Sequence, residues 1–251
     1  MAENPGNDTQ KTNVRDNVII VDFDFALMDG YEILELAAEN ALGVHNVELT
    51  RGIFLRKLLG ARAMPALASL LPENAEIAPE KFVAQVYEAA DKAVDGAPVR
   101  KAVLDFIKNA EAQEANVLFV TARNQTVVEQ KLENAGISEP RVIRVDKGEV
   151  FGAYNRDAWN KAVRIAYPSS GNCLLLLGGA QSVKDALALG RRGVSTFDGD
   201  EECVILPSIL VAHVVAIVSP VISYQDYAGA DYVFDAQPDA ALAKSLASVV
   251  F

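Results

Sequence analysis

The run Val18-Ile19-Ile20-Val21-Asp22-Phe23-Asp24 constrains this chain more than any other segment. Four β-branched residues in succession suit a strand buried on both faces. Side chains two apart on a strand point to the same side, so Asp22 and Asp24 leave the strand together at its C-terminal end. An early strand that delivers two acids in this way can present a nucleophile and a proton donor side by side. The plain alternative is a buried strand that ends in solvated acids.

The rest of the chain supplies the setting. Ala115–Val120, Arg141–Val145, Cys173–Leu177 and Gly193–Phe197 read as further strands, and Tyr232–Phe234 as an edge strand. Helical patterns fill the gaps at Val127–Ala135, Ala158–Ile165, Val183–Leu189 and Ala240–Val249. Strand and helix in alternation imply an α/β fold, a Rossmann-like open and mostly parallel sheet. The alternation breaks between Tyr31 and Pro98, where Tyr31–Ala41, Leu49–Leu59, Met64–Leu71 and Pro79–Val94 all read as helices and nothing reads as a strand. The expected organisation is a polar, disordered lead-in over residues 1–13, an α/β core from 14–30 and 99–251, and an all-helical cap at 31–98 inserted after the first strand. Ligands in open parallel sheets bind beyond the carboxyl ends of the strands. That directs attention to Asp22 and Asp24, to Thr121, to Gly178-Gly179-Ala180 with Asp185, and to Asp198 and Asp200.

Composition excludes several classes. The 251 residues are 51% hydrophobic and carry a net charge of -11, which repels nucleic acid. Two cysteines build neither a disulfide framework nor a cysteine zinc cluster, and Cys173 opens an apolar run as an inert thiol. The longest apolar stretch, Val204–Val218, is interrupted by Pro207, Ser208 and His213 and is short for a membrane span. It is expected to cover a sheet edge or form an oligomer contact. A cytoplasmic protein without a membrane partner follows from this reading.

Together these motifs resemble the haloacid dehalogenase-like (HAD) superfamily, in the helical-cap subclass of phosphoglycolate phosphatase-type hydrolases. That family's first motif, DxDGTLxD, is matched by Asp22-Phe23-Asp24-Phe25-Ala26-Leu27-Met28-Asp29. Its second, a strand ending in Thr or Ser, is matched by Val117–Thr121, and its fourth, GDxxxxD, by Gly179-Ala180-Gln181-Ser182-Val183-Lys184-Asp185. The resemblance implies that Asp22 attacks phosphorus to form an aspartyl-phosphate, that Asp24 is the acid/base, and that Thr121 hydrogen-bonds the phosphoryl group. It implies Mg²⁺ held by Asp22 and Asp24, with Asp185 as a substitute ligand, and a small phosphorylated molecule as partner. The cation of the third motif falls to Lys147 or Arg156, with Lys161 a further candidate.

The departures from the pattern are as informative. Ala180 stands where a metal-binding Asp is expected, and Asp185 is one helical turn away. Phe25 replaces a Gly that allows a tight turn beside the ligand, and Ala26 lacks the Thr hydroxyl. His45 and His213 have no partners at triad spacing, while Tyr154 and Trp159 read as packing residues. Three functions are therefore in view: a phosphatase of impaired activity, a catalytically inactive binding or assembly protein, and a metal-independent dehalogenase-like hydrolase. The last would excuse Ala180 but leaves Asp24 unexplained.

Overall fold

The computed structural model describes residues 17–45, 61–73, 76–150, 153–155, 157–166, 173–192, 211–220 and 222–249. Its centre is a six-stranded parallel sheet in the order β3-β2-β1-β4-β5-β6. The strands are β1 (Val18–Asp22), β2 (Asn116–Thr121), β3 (Val142–Arg144), β4 (Cys173–Leu177), β5 (Val211–Val218) and β6 (Tyr232–Asp235). β1 and β4 are buried along their whole length, as expected of inner parallel strands covered by helices on both faces.

Eight α-helices accompany the sheet among the described residues: α1 (Gly30–Gly43), α2 (Ala63–Ala68), α3 (Pro79–Ala93), α4 (Lys101–Glu111), α5 (Gln125–Asn134), α6 (Ala158–Ala166), α7 (Ala180–Arg192) and α8 (Asp239–Leu246). α1, α2 and α3 fall between β1 and α4, and no strand occurs in the described part of that segment. α1 and α2 both pack on α3, which opens with Pro79 in its first turn. Asp29 caps α1 by accepting from the Glu32 N–H at 3.3 Å. α4 packs on α8, whose Asp239 Oδ1 accepts from the Ala102 N–H at 3.0 Å and so satisfies a first-turn donor. No helix among the described residues is long and apolar enough to cross a membrane.

One expectation from sequence needs revision. The described part of the apolar stretch Val204–Val218 neither covers an edge nor forms a free surface. Val211–Val218 is β5, an inner strand paired with β4 and β6. Val214, Val215, Ala216, Ile217 and Val218 are all buried, and His213 is accommodated by edge-on contact with the Tyr232 ring at 5.8 Å. A run buried on both faces lacks the alternation that marks a half-exposed strand, which is why it resembled a cover. The strand expected at Gly193–Phe197 lies outside the described residues, as do Leu49–Leu59, the 1–13 lead-in, Asp198 and Asp200.

The register of the sheet creates the site. Asp22 lies opposite Val120 of β2, and β1 pairs on its other side with β4, so Asp22, Thr121 and Gly178 meet at three adjacent strand ends. Beyond Asp22 the chain makes one π-helical turn, Phe23–Leu27, closed by the Met28 N–H on the Phe23 carbonyl at 3.0 Å. Arg100, just before α4, holds that turn from outside. Its Nη1 reaches the carbonyls of Phe25 (2.6 Å), Ala26 (3.0 Å) and Met28, and its Nη2 pairs with Asp29 Oδ2 at 2.8 Å.

Candidate active site

Asp22 is fully buried, and both its oxygens are occupied. Oδ1 accepts from the Phe25 N–H at 3.0 Å and from the Tyr154 hydroxyl at 2.6 Å. Oδ2 accepts from the N–H groups of Gly178 (3.2 Å) and Gly179 (3.3 Å) at the end of β4. Burial pushes the carboxyl up to about 6; the Tyr154 hydroxyl pulls it down, Asp24 pushes it up again, and the Phe25 and Gly178 amides pull it down.

Asp24, also buried, is held more tightly still. Oδ1 pairs with Arg123 Nε at 2.8 Å, and Oδ2 accepts from the Ala122 N–H at 2.9 Å. Thr121 Oγ1 lies 3.1 and 3.2 Å from the two oxygens and itself accepts from the Arg123 N–H at 3.1 Å. Tyr154 Oη is 3.0 Å from Asp24 Oδ2 and 3.2 Å from the Val120 carbonyl, so one hydroxyl stands between both acids. Burial and the two neighbouring carboxylates raise the Tyr154 phenol well above its ordinary value and keep it protonated.

Close packing leaves little space at this point. A Cβ built on Gly178 would come within 2.0 Å of the Phe25 carbonyl group, so the strand end and the π turn touch backbone to backbone. Phe25 turns its ring 4.7 Å from Tyr31 and 6.3 Å from Tyr154, and is buried. The cavity beside Asp24, Arg123 and Tyr87 offers about 40 Å³, room for little more than water. A larger cleft of about 520 Å³ adjoins it, lined by Lys147, Tyr154, Asn155, Gln181 and Asp185 among others. Asp22 lines neither.

Asp22, Asp24 and Thr121, singled out from sequence, thus meet within hydrogen-bond distance of common partners. Of the remaining candidates, Lys147 lines the small cavity beside Asp24 as well as the larger cleft, and Asp185 lines the larger cleft. Lys147 lies with its Nζ 3.8 Å from the centre of the Tyr87 ring, its ammonium pulled below its ordinary range chiefly by burial. Asp185 accepts from Gln181 Nε2 at 2.9 Å on α7. Arg156 lies outside the described residues. Two residues were missed. Tyr154, read as packing, does pack on Trp159 at 5.5 Å, but its hydroxyl serves the acids. Arg123 was passed over although it follows Thr121 by two positions, where the turn after a strand carries a side chain back over the strand end. Its other arm, Nη1, pairs with Asp91 of α3 at 3.0 Å.

The donor set does not fit Mg²⁺, which requires several hard oxygens in near-octahedral order. The Asp22 oxygens already accept four hydrogen bonds, Ala180 offers a methyl group, and no cluster of three or more His, Cys, Asp or Glu side chains suited to a metal occurs among the described residues.

No protein-family model and no curated protein matches the chain. Solved structures do. CbbY from Rhodobacter sphaeroides in complex with phosphate superposes with a TM-score of 0.58 at 17% identity, over 90% of this chain and 95% of the other. A mutant of the same protein in complex with xylulose-(1,5)-bisphosphate gives 0.58 at 15%, over the same shares of each chain. A haloacid dehalogenase-like family hydrolase from Streptococcus pneumoniae gives 0.58 at 14% identity, over 90% and 95%. The fold is that of the haloacid dehalogenase-like superfamily. Within that HAD-like fold, the acid pair lies at the strand ends, held by Tyr154 and Arg123.

Proposed function

We propose that this protein is a HAD-like member of the phosphatase type that binds a small phosphorylated molecule without hydrolysing it through an aspartyl-phosphate. The observation that carries the reading is the occupation of both acids, Asp22 by the Tyr154 hydroxyl and Asp24 by Arg123. For Asp22 to attack phosphorus, it would have to release that hydroxyl and meet a phosphate dianion without a metal to offset the repulsion. Nothing at Ala180 supplies one. In this reading residues 31–98 act as the cap, and the protein works in the cytoplasm.

Ligand binding is supported by the larger cleft, whose volume falls in the range of small-molecule sites. Lys147, exposed at that cleft, forms no salt bridge among the described residues and leaves a cation for an anionic group. Neighbouring folds solved with phosphate and with a sugar bisphosphate support the same ligand class. The test is a calorimetric screen of sugar phosphates run beside a phosphate-release assay. Binding that Lys147→Ala weakens, with no release above background, is the expected result.

A second reading, a magnesium-assisted phosphatase, is favoured by the convergence of Asp22, Asp24 and Thr121. Release of phosphate from an aryl phosphate that depends on Mg²⁺ and is abolished by Asp22→Asn would establish it in place of the first.

A further inference from the structure

We propose that Tyr154 is the built-in occupant of the acid pair: its hydroxyl takes the coordination that a divalent cation would need, and Arg123 supplies the balancing charge. This inference deepens the reading of the same site and rests on it, but its readout is a metal and not a phosphate ester, so the two can fail separately.

The argument begins with Ala180. A lost metal ligand explains weak metal binding by itself, and restoring it should then restore the metal. The geometry says otherwise. Tyr154 Oη sits 2.6 Å from Asp22 Oδ1 and 3.0 Å from Asp24 Oδ2, the bridging position between two carboxylates that a cation would compete for. The ring packs against Trp159 at 5.5 Å and Phe25 at 6.3 Å, and the residue is buried, which holds the hydroxyl at the acids. Tyr154 also enters an antiparallel bridge with Lys147, which ties its backbone to the segment after β3. Arg123 cannot leave easily either, since its two arms are held by Asp24 and Asp91. Asp22 therefore has a neutral hydroxyl donor and Asp24 a cationic partner, and a metal must displace the shared hydroxyl before it can bridge the acids.

The experiment is a calorimetric titration with Mg²⁺ alone on four proteins: the native chain, Ala180→Asp, Tyr154→Phe, and the double variant. Tyr154→Phe keeps the ring and its contacts, and an Asp at position 180 stands in the first turn of α7, where a negative charge is favoured. No binding is expected for the native chain. The double variant is expected to bind at least about tenfold more tightly than Ala180→Asp alone, the scale on which groups around a ligating carboxylate tune metal affinity. Equal affinity for Ala180→Asp and the double variant, no binding by the double variant, or binding by the native chain would each overturn the proposal. Should either Tyr154→Phe protein fail to fold, proton NMR of the native chain decides. A slowly exchanging Tyr154 hydroxyl proton unmoved by Mg²⁺ supports the proposal, and a rapidly exchanging or Mg²⁺-shifted one refutes it.

Discussion

The ends of β1 and β2 and the end of β4 with its following helix belong to one site but are built in opposite ways. At the first, Asp22, Asp24 and Thr121 gather at adjacent strand ends. At the second, the expected acid is Ala180, and Gly178 and Gly179 give only their amides. The difference teaches what holds an acid pair in place through protein partners alone. The β1 acids are structural as well as chemical: Asp22 caps the π turn, and Asp24 ties the turn after β2 to β1. The position at 180 has no comparable duty, because a helix can begin there without an acid. The hydrogen bonds of Asp22 and Asp24 give both acids a structural duty, so their presence does not by itself argue for turnover.

The comparison breaks most directly at Arg123. Replacing it with Met leaves Asp24 buried with an uncompensated charge, and removing one partner of a buried pair costs about 3–5 kcal/mol. Urea denaturation of Arg123→Met should show a loss of that order, and a loss no greater than a surface substitution gives would mean that Asp24 is solvated. Asp22 offers the next largest effect. Its pKa is raised from 3.8 unfolded to about 6 folded, so the native state binds the extra proton. That contribution is fully present below the unfolded value and is lost as pH rises through the folded value. Stability should therefore fall between pH about 4 and about 6 by about 3 kcal/mol and then level off. Denaturation across this window should show the decline in the native chain and its absence in Asp22→Asn.

Much of this site could be read before the structure. Short apolar runs located β1, β2 and β4, and the side-by-side placement of Asp22 and Asp24 followed from strand periodicity. The π turn was hidden because it depends on Arg100, more than seventy residues away, gathering the carbonyls of Phe25, Ala26 and Met28. Tyr154 was hidden for a similar reason. Its segment has no regular period, and only the bridge to Lys147 and the stacking on Trp159 aim the hydroxyl at Asp22. β5 was misread because a strand apolar on both faces carries no alternation. Arg123 left a visible trace, a cation just past a strand end that faces two acids, and charge balance would have found it.

The backbone contact between the two regions gives a smaller effect. In Gly178→Ala the new methyl would lie 2.0 Å from the Phe25 carbonyl group, so β4 and the π turn must part. Overpacking of this kind costs about 1–3 kcal/mol. Thermal denaturation should register it, and the Gly178 and Gly179 amides should lose protection in hydrogen exchange as they withdraw from Asp22.

The smallest effect is expected where the second region meets solvent. Lys184 on α7 approaches Asp226 at 3.8 Å, and both side chains are about half exposed. Coulomb attraction there is screened, and fixing two long side chains costs entropy, so such pairs contribute about 0–1 kcal/mol. Lys184→Ala should accordingly change stability by less than about 0.5 kcal/mol, as surface substitutions usually do. Arg123→Met and Lys184→Ala each remove one cation from an Arg or Lys pair with an Asp, and they differ in burial. If their losses in urea were alike, burial would not be what makes the Asp24–Arg123 pair strong, and the account of how protein partners hold the acid pair would fail with it.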